Sequence, residues 1–307
     1  MVKKATAVEK TETKAEKDAD NLGPWQIAWK KFRKNKIAVG GSIIFIAIVL
    51  LVIFVPIISG TDVNYYNLAN KNLAPSAKHW LGTDAQGRDV FFRLFFGGRI
   101  SIMVGVISAV ITVVVGVVFG GVAGFYGGWV DNILMRFTEI VYSLPFTPMI
   151  IALASVMLWT PQDQKMYVIS LLIGLLSWPA LARLIRGQIL SLREQEFMQA
   201  CEALGLSDRS KIFKHLVPNV LNLIIVNATL TMAGAILTEA GLSFLGMGVV
   251  APTPSWGNLM NLARNSDVFQ NYPWQWIPAG VMCFLTVISI NLFGEGLRDA
   301  FDPKDIR

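Results

Sequence analysis

Histidine, cysteine and charge are scarce in this chain, and each shortage removes a class of chemistry. His79 and His215 are the only histidines among 307 residues; they lie in separate segments and form no His-Glu-x-x-His arrangement, so no metal ligand is assigned. Cys201 and Cys283 match no redox or metal spacing. No Gly-x-x-x-x-Gly-Lys-[Ser/Thr] string occurs, so the chain has no recognisable nucleotide loop and no cofactor of its own is expected. An intramembrane protease would need serine or aspartate dyads at mid-span, where mainly Asn and Thr are found. Charged residues make up 16% of the chain and hydrophobic ones 53%, which is no soluble composition. The formal charge of +6 would suit nucleic acid, but the basic residues flank apolar runs, where orientation in a bilayer accounts for them.

What the chain has is apolar length. Runs at about 38–58, 100–125, 133–159, 166–185, 219–238 and 274–297 are long enough to cross a membrane and predict an all-α bundle of six spans with both termini on one side. No small-residue cleavage pattern follows the first run, which reads as an anchor rather than a signal. Residues 1–24 are too polar to bury a core and read as a disordered tail. Residues 25–99 hold an interfacial helix with Trp25, Trp29 and Phe32 among basic residues, then the first span and an external segment; residues 100–307 form the core. More Lys and Arg lie near Lys30–Lys36, Arg183–Lys214 and Arg298–Arg307 than on the opposite side, which places both termini and the 195–220 stretch in the cytoplasm.

Within the spans, Gly116, Gly120, Gly124 and Gly128 recur every fourth residue, a stripe that lets a second helix approach closely. Arg136 and Glu139 lie one turn apart, ahead of Pro145 and Pro148. A charge costs about 2.5–3.5 kcal/mol at a helix centre, so this pair is expected off-centre, facing protein or water, beside a proline kink. Arg183 and Arg186, after Pro179, are placed to snorkel towards headgroups. Asn227, Thr231 and Thr238 put a polar stripe on one face of the fifth span, either interhelical hydrogen bonding or a water-lined path.

The stretch 195–220 is the one long polar island between apolar runs. Phe197, Ala200, Cys201 and Leu204 recur at helical spacing, Gly205 ends that helix, and Ser207 or Asp208 caps a second one carrying Ile212, Phe213 and Leu216 until Pro218. Two short amphipathic helices lying flat suit either a loop resting on the membrane or a docking site for a partner.

This island resembles the "EAA" loop of the integral-membrane subunits of ABC importers: Glu-Ala-Ala, three residues, Gly, nine residues, Ile, one residue, Leu-Pro. The register falls on Gln199, Ala200, Cys201, Gly205, His215, Val217 and Pro218, of which Ala200, Gly205 and Pro218 match. Residues 82–89, Gly-Thr-Asp, two residues, Gly-Arg-Asp, and the Thr-Pro-Ser-Trp-Gly-Asn string at 253–258 are similar to the C-type permease subunits of oligopeptide and dipeptide importers, as is the chain end at 291–304. The resemblance covers about residues 80–304.

The resemblance implies a six-helix permease of the type I ABC importer kind in a bacterial plasma membrane. It implies a second homologous permease chain, two ATPase subunits that use ATP, an extracellular peptide-binding protein and surrounding lipid as partners, with no nucleic acid. The seven island residues would form the ATPase-coupling loop, and Asn227, Thr231 and Thr238 are candidates to line the pathway. The same family includes nickel importers, so a metal or its chelate is the alternative substrate; a channel or scaffold without an ATPase is the alternative class. The charge balance makes one direct prediction: a cysteine at Asn67 reacts with an impermeant thiol reagent in intact cells, and one at Ser207 does not. The reverse pattern would invert the topology.

Overall fold

The computed structural model describes residues 24–60, 62–156 and 160–301. The tail expected at 1–24 lies outside them, apart from Pro24, which opens the first helix. Helix α1 (Pro24–Lys34) leads through Asn35, whose side chain caps α2 (Lys36–Ser59) by accepting from the Ala38 N–H at 3.1 Å. Then come α3 (Val90–Tyr126), α4 (Gly128–Ser143), α5 (Phe146–Val156) and α6 (Gln162–Arg193). The island supplies α7 (Glu196–Ala203), followed by α8 (Leu221–Phe244), two short helices, α9 (Trp256–Asn261) and α10 (Ser266–Asn271), and finally α11 (Ile277–Phe301).

Five of these helices are long and apolar enough to cross a membrane, and α4 with α5 makes a sixth if the bent pair is one span. The sequence reading placed one span at about 133–159, and the structure breaks that stretch between Ser143 and Phe146. The two helices meet at 81°. Pro145 disfavours helical conformation at the residue before it, and Leu144 is accordingly extended, with φ −70° and ψ 130°. Pro148 falls in the first turn of α5, where a missing N–H costs nothing.

Helix α3 is the axis of the bundle. Along one half it lies against α6 with backbones nearly touching: a Cβ at Gly116 would meet Leu181 at 3.0 Å, one at Gly124 would meet the Arg186 carbonyl at 2.9 Å, and one at Gly120 would overlap the Ala182 carbonyl. Gly174 of α6 answers from the other side, 2.7 Å from the Ile111 Cβ by the same construction. At that spacing hydroxyls reach across, and Ser108 Oγ donates to the Ser170 carbonyl at 3.0 Å and Thr112 Oγ1 to the Gly174 carbonyl at 3.2 Å. The glycine stripe read from the sequence therefore packs within the chain, except Gly128, which lies past the end of α3 and faces open space. Gly105 makes the same kind of approach to Ile236 of α8, while α11 closes on α2 and α1 through Ala28, Phe32, Ala38 and Ala300.

The other end of α3 is held by a polar knot. Asp84 accepts from Arg88 Nε at 2.7 Å and lies 3.7 Å from Arg93 Nε, all three residues being buried. Asp89 caps α3 by accepting from the Phe91 N–H and meets His79 Nδ1 at 2.8 Å. Thr83 Oγ1 donates to the Asn70 carbonyl and accepts from the Leu73 N–H, and any side chain at Gly87 would collide with the Asn67 carbonyl. Trp256, fully buried, donates Nε1–H to the Leu94 carbonyl at 3.0 Å. The strings at 82–89 and 253–258 thus both have structural work in this one knot.

The α3–α6 contact predicts a contrast between neighbouring glycines. Gly120→Ala forces the helices apart and destabilises by about 1–3 kcal/mol. Gly121→Ala, whose Cβ would meet only Ile189 at 3.8 Å, leaves thermal stability in detergent equal or raised, since Ala favours helix by about 1 kcal/mol over Gly. Equal losses at both positions would mean the approach is looser than described.

Candidate functional site

The island is seated on the bundle. Helix α6 ends at Glu194, and α7 presses Met198, with Phe197 against it, into a cluster with Phe125 of α3, Ile185 and Ile189 of α6, and Leu216 and Val220 beyond, while Cys201 is buried as well. Helix α7 ends as the sequence predicts: Gly205 has φ +68°, its N–H donates to the Glu202 carbonyl at 2.9 Å, and the Leu206 N–H donates to the Cys201 carbonyl at 3.1 Å. These two bonds satisfy carbonyls that a helix end leaves free, and they need a residue tolerant of positive φ. Ser207 then caps the next winding, accepting from the Ser210 N–H at 3.4 Å.

That winding, residues 208–219, is wider than an α-helix over 211–216: the Val217 N–H donates to the Ile212 carbonyl, five residues back. One consequence corrects the sequence reading. Leu216 is buried and Ile212 half-buried, but Phe213 is rotated outward and is 61% exposed. In α7 the expected apolar face also splits: Cys201 points in and Phe197 is half-buried, while Ala200 and Leu204 face out, Leu204 at 79% exposure. Met198 takes the core position that the pattern assigned to Ala200. Of the remaining coupling-loop candidates, Gln199, Gly205 and Pro218 are exposed and His215 and Val217 half-buried.

Charged contacts lock this block to the spans. Arg193 Nη1 donates to the Phe125 carbonyl at 2.9 Å, where α3 ends. Lys211 Nζ lies 3.5 Å from Asp208, 3.9 Å from Glu202 and 6.0 Å from the Phe125 ring centre. Arg186 forms a two-pronged pair with Asp131 of α4, both bonds at 2.5 Å, instead of reaching for headgroups. Arg183 does not extend either: its guanidinium stacks 3.7 Å from the centre of the Tyr142 ring.

The polar stripe lies on α8. Asn227, Thr231 and Thr238 fall within roughly 40° of helix circumference. Asn227 Nδ2 donates to the Leu223 carbonyl at 2.9 Å and Thr238 Oγ1 to the Gly234 carbonyl at 2.8 Å, both within their own helix. Gly234 and Gly241 on the same side are exposed, and among the described residues nothing stands within 4 Å of a Cβ built on either. The Arg136–Glu139 pair, 2.9 Å apart, is likewise turned outward, its side chains 81% and 53% exposed. The residue the sequence did not single out is Glu239. Placed by the pattern at the end of the span, it is fully buried, accepting from Ser101 Oγ of α3 at 2.8 Å and from Ser243 Oγ at 2.6 Å. Those serines accept in turn from the Trp256 and Val249 N–H groups, so Glu239 ties the loop after α8 to α3.

A bundle built on one glycine-packed helix pair, with a polar block seated where that pair ends, matches a known family description over residues 116–306: binding-protein-dependent transport system inner membrane component. The chain belongs to that family. It is therefore a multi-pass membrane component of a transport system, and its all-α fold is of the type I ABC importer permease kind. Residues 23–75 match the N-terminal transmembrane domain of oligopeptide transport permease C. Among relatives, a putative peptide permease protein of Brucella suis is 41% identical over 284 residues, 92% of each chain. The oligopeptide transport system permease protein of Bacillus subtilis is 41% identical over 285 residues, 92% of this chain and 91% of its own. A dipeptide transport system permease protein of Alkalihalophilus pseudofirmus is 38% identical over 283 residues, with the same coverage.

Proposed function

We propose that this family member is one of two permease subunits of an ATP-driven peptide importer, with both termini and the island in the cytoplasm. A second, homologous permease chain pairs with it, two ATPase subunits sit beneath, and an extracellular binding protein delivers the peptide. The observation that carries this reading is the island: seated through Met198, Leu216 and Val220 on the ends of α3 and α6, it presents Leu204 and Phe213 to the outside. Two large apolar side chains exposed beside ordered helices make an anchor for a protein groove. Peptide as substrate is supported by the names of the relatives at 38–41% identity.

Coupling follows from rigidity. Helix α6 runs almost directly into α7, and Arg193, Arg186 and the shared core leave no slack between the docking surface and the spans. When the ATPases close on ATP, a displacement at Leu204 becomes a displacement of α6, and through the glycine contact of α3. The open face of α8 with Asn227, Thr231 and Thr238 lines the path for the solute, its hydroxyls and amide meeting water or peptide.

Gly205 tests the coupling. Space is free around it, but its φ of +68° is costly for a β-branched residue, so Gly205→Val tilts the outer surface without touching the spans. The variant inserts normally, and ATP hydrolysis is no longer stimulated by loaded binding protein; peptide uptake falls about tenfold or more, as expected for a lost docking anchor worth ~1.4 kcal/mol or above. Uptake and coupled hydrolysis at parental levels would reduce the island to a surface loop.

A further inference from the structure

The charges of the knot at the start of α3 do not balance. Arg88 and Arg93 are permanent cations, 8% and 2% exposed, and among the described residues Asp84 is the one carboxylate that meets either of them. Arg88 gives its Nε–H to Asp84 at 2.7 Å, but its Nη groups find no acceptor among the described residues. Arg93 Nε lies 3.7 Å from Asp84 and is buried without a hydrogen-bond partner, while its Nη groups rest on the Val63 and Pro252 carbonyls at 3.2–3.5 Å. Carbonyls offer hydrogen bonds but no charge. Two guanidiniums sharing one carboxylate leave one positive charge over, and a buried charge without a counter-ion is strongly unfavourable.

Both arginines line a cleft of about 110 Å³ against the loop that follows α8, and no carboxylate stands on its lining. The other polar groups there are committed elsewhere. Asn258 Nδ2 donates to the Thr253 and Val249 carbonyls, Asn261 Nδ2 to the Phe244 carbonyl, and Ser243 Oγ to Glu239, which is fully buried behind that serine and not on the lining. The N–H edges left to face an occupant are therefore those of the arginines. The space holds a small ion with a few waters.

We infer that this cleft is a binding site for one small monovalent anion, a halide or a small carboxylate, held by Arg88 Nη and Arg93 Nε, and that the anion clamps the loop after α8 onto the start of α3. Guanidinium N–H groups make charge-assisted bonds to anions, and a single negative charge is what the knot lacks. A doubly charged anion would reverse the imbalance. The inference goes beyond the transport reading and does not depend on which solute the chain carries.

The test follows hydrogen exchange of the 246–262 amides by mass spectrometry in the assembled complex, as gluconate, too bulky for the cleft, is replaced by chloride at constant ionic strength. In the parent, exchange over 246–262 slows with chloride and saturates, by about tenfold at ten times the half-saturating concentration, as mass action gives for an ion bound only to the closed loop. Arg88→Gln, which removes the free Nη groups, loses this response. So does Ala251→Leu, which narrows the cleft without touching a charge; if Arg88→Gln does not assemble, Ala251→Leu decides. Formate as effective as chloride identifies a carboxylate-accepting site and protection by chloride alone a halide site, and both sustain the proposal. An unresponsive parent, which leaves the cleft to water, overturns it, as does a chloride response that persists in Ala251→Leu, which places the ion elsewhere.

Discussion

Everything in this molecule hangs on the approach of α3 to α6. In a bilayer, lipid tails compete on equal terms for an apolar helix surface, so two helices stay together only through close packing and hydrogen bonds. Gly116, Gly120 and Gly124 on one side and Gly174 on the other bring the backbones into contact, and that proximity lets Ser108 and Thr112 bond across. Remove the glycines and the hydroxyls no longer reach. The pair then supports a cluster at each end: the island at one, the Asp84–Arg88–Arg93 knot with Trp256 at the other. A movement imposed at either end has a stiff element to travel along.

The same chain leaves broad surfaces without partners. Helix α2 shows Ile43, Ile46 and Phe54 to the outside, as a lipid-facing helix does. The outward Arg136–Glu139 pair and the small-residue side of α8 are a different kind of surface, too polar or too bare for tails. Charged and backbone-exposing faces within membrane spans are tolerated against protein or water, which is consistent with the proposed pairing with a second permease chain.

Much of this was legible in the sequence, and the parts that were not share a cause. Long apolar runs, a glycine every fourth residue, and the Gly205 and Ser207 punctuation of the island are local signals, and the helices end and pack where those signals put them. The inner face of α7 was not legible, because in an eight-residue helix Phe197, Met198 and Cys201 compete with Ala200 and Leu204 as apolar stripes, and only Phe125, Ile185 and Ile189 from distant helices choose between them. Phe213 was misplaced by a widened turn that no residue pattern announces. Glu239 was not singled out because its partner Ser101 stands 138 residues away. The broken span was half visible, in Pro145 and Pro148, but an 81° bend depends on what packs around it.

The central claim is that the island's outward face, centred on Leu204, is where force from ATP enters. The direct measurement is site-directed cross-linking in the assembled complex, with Cys201 and Cys283 replaced by alanine and a single cysteine placed at Leu204. The account predicts a cross-link to an ATPase subunit whose yield changes when ATP is bound. A Leu204 cysteine that stays freely reactive to soluble thiol reagents in the assembled complex and links to no ATPase chain would contradict it.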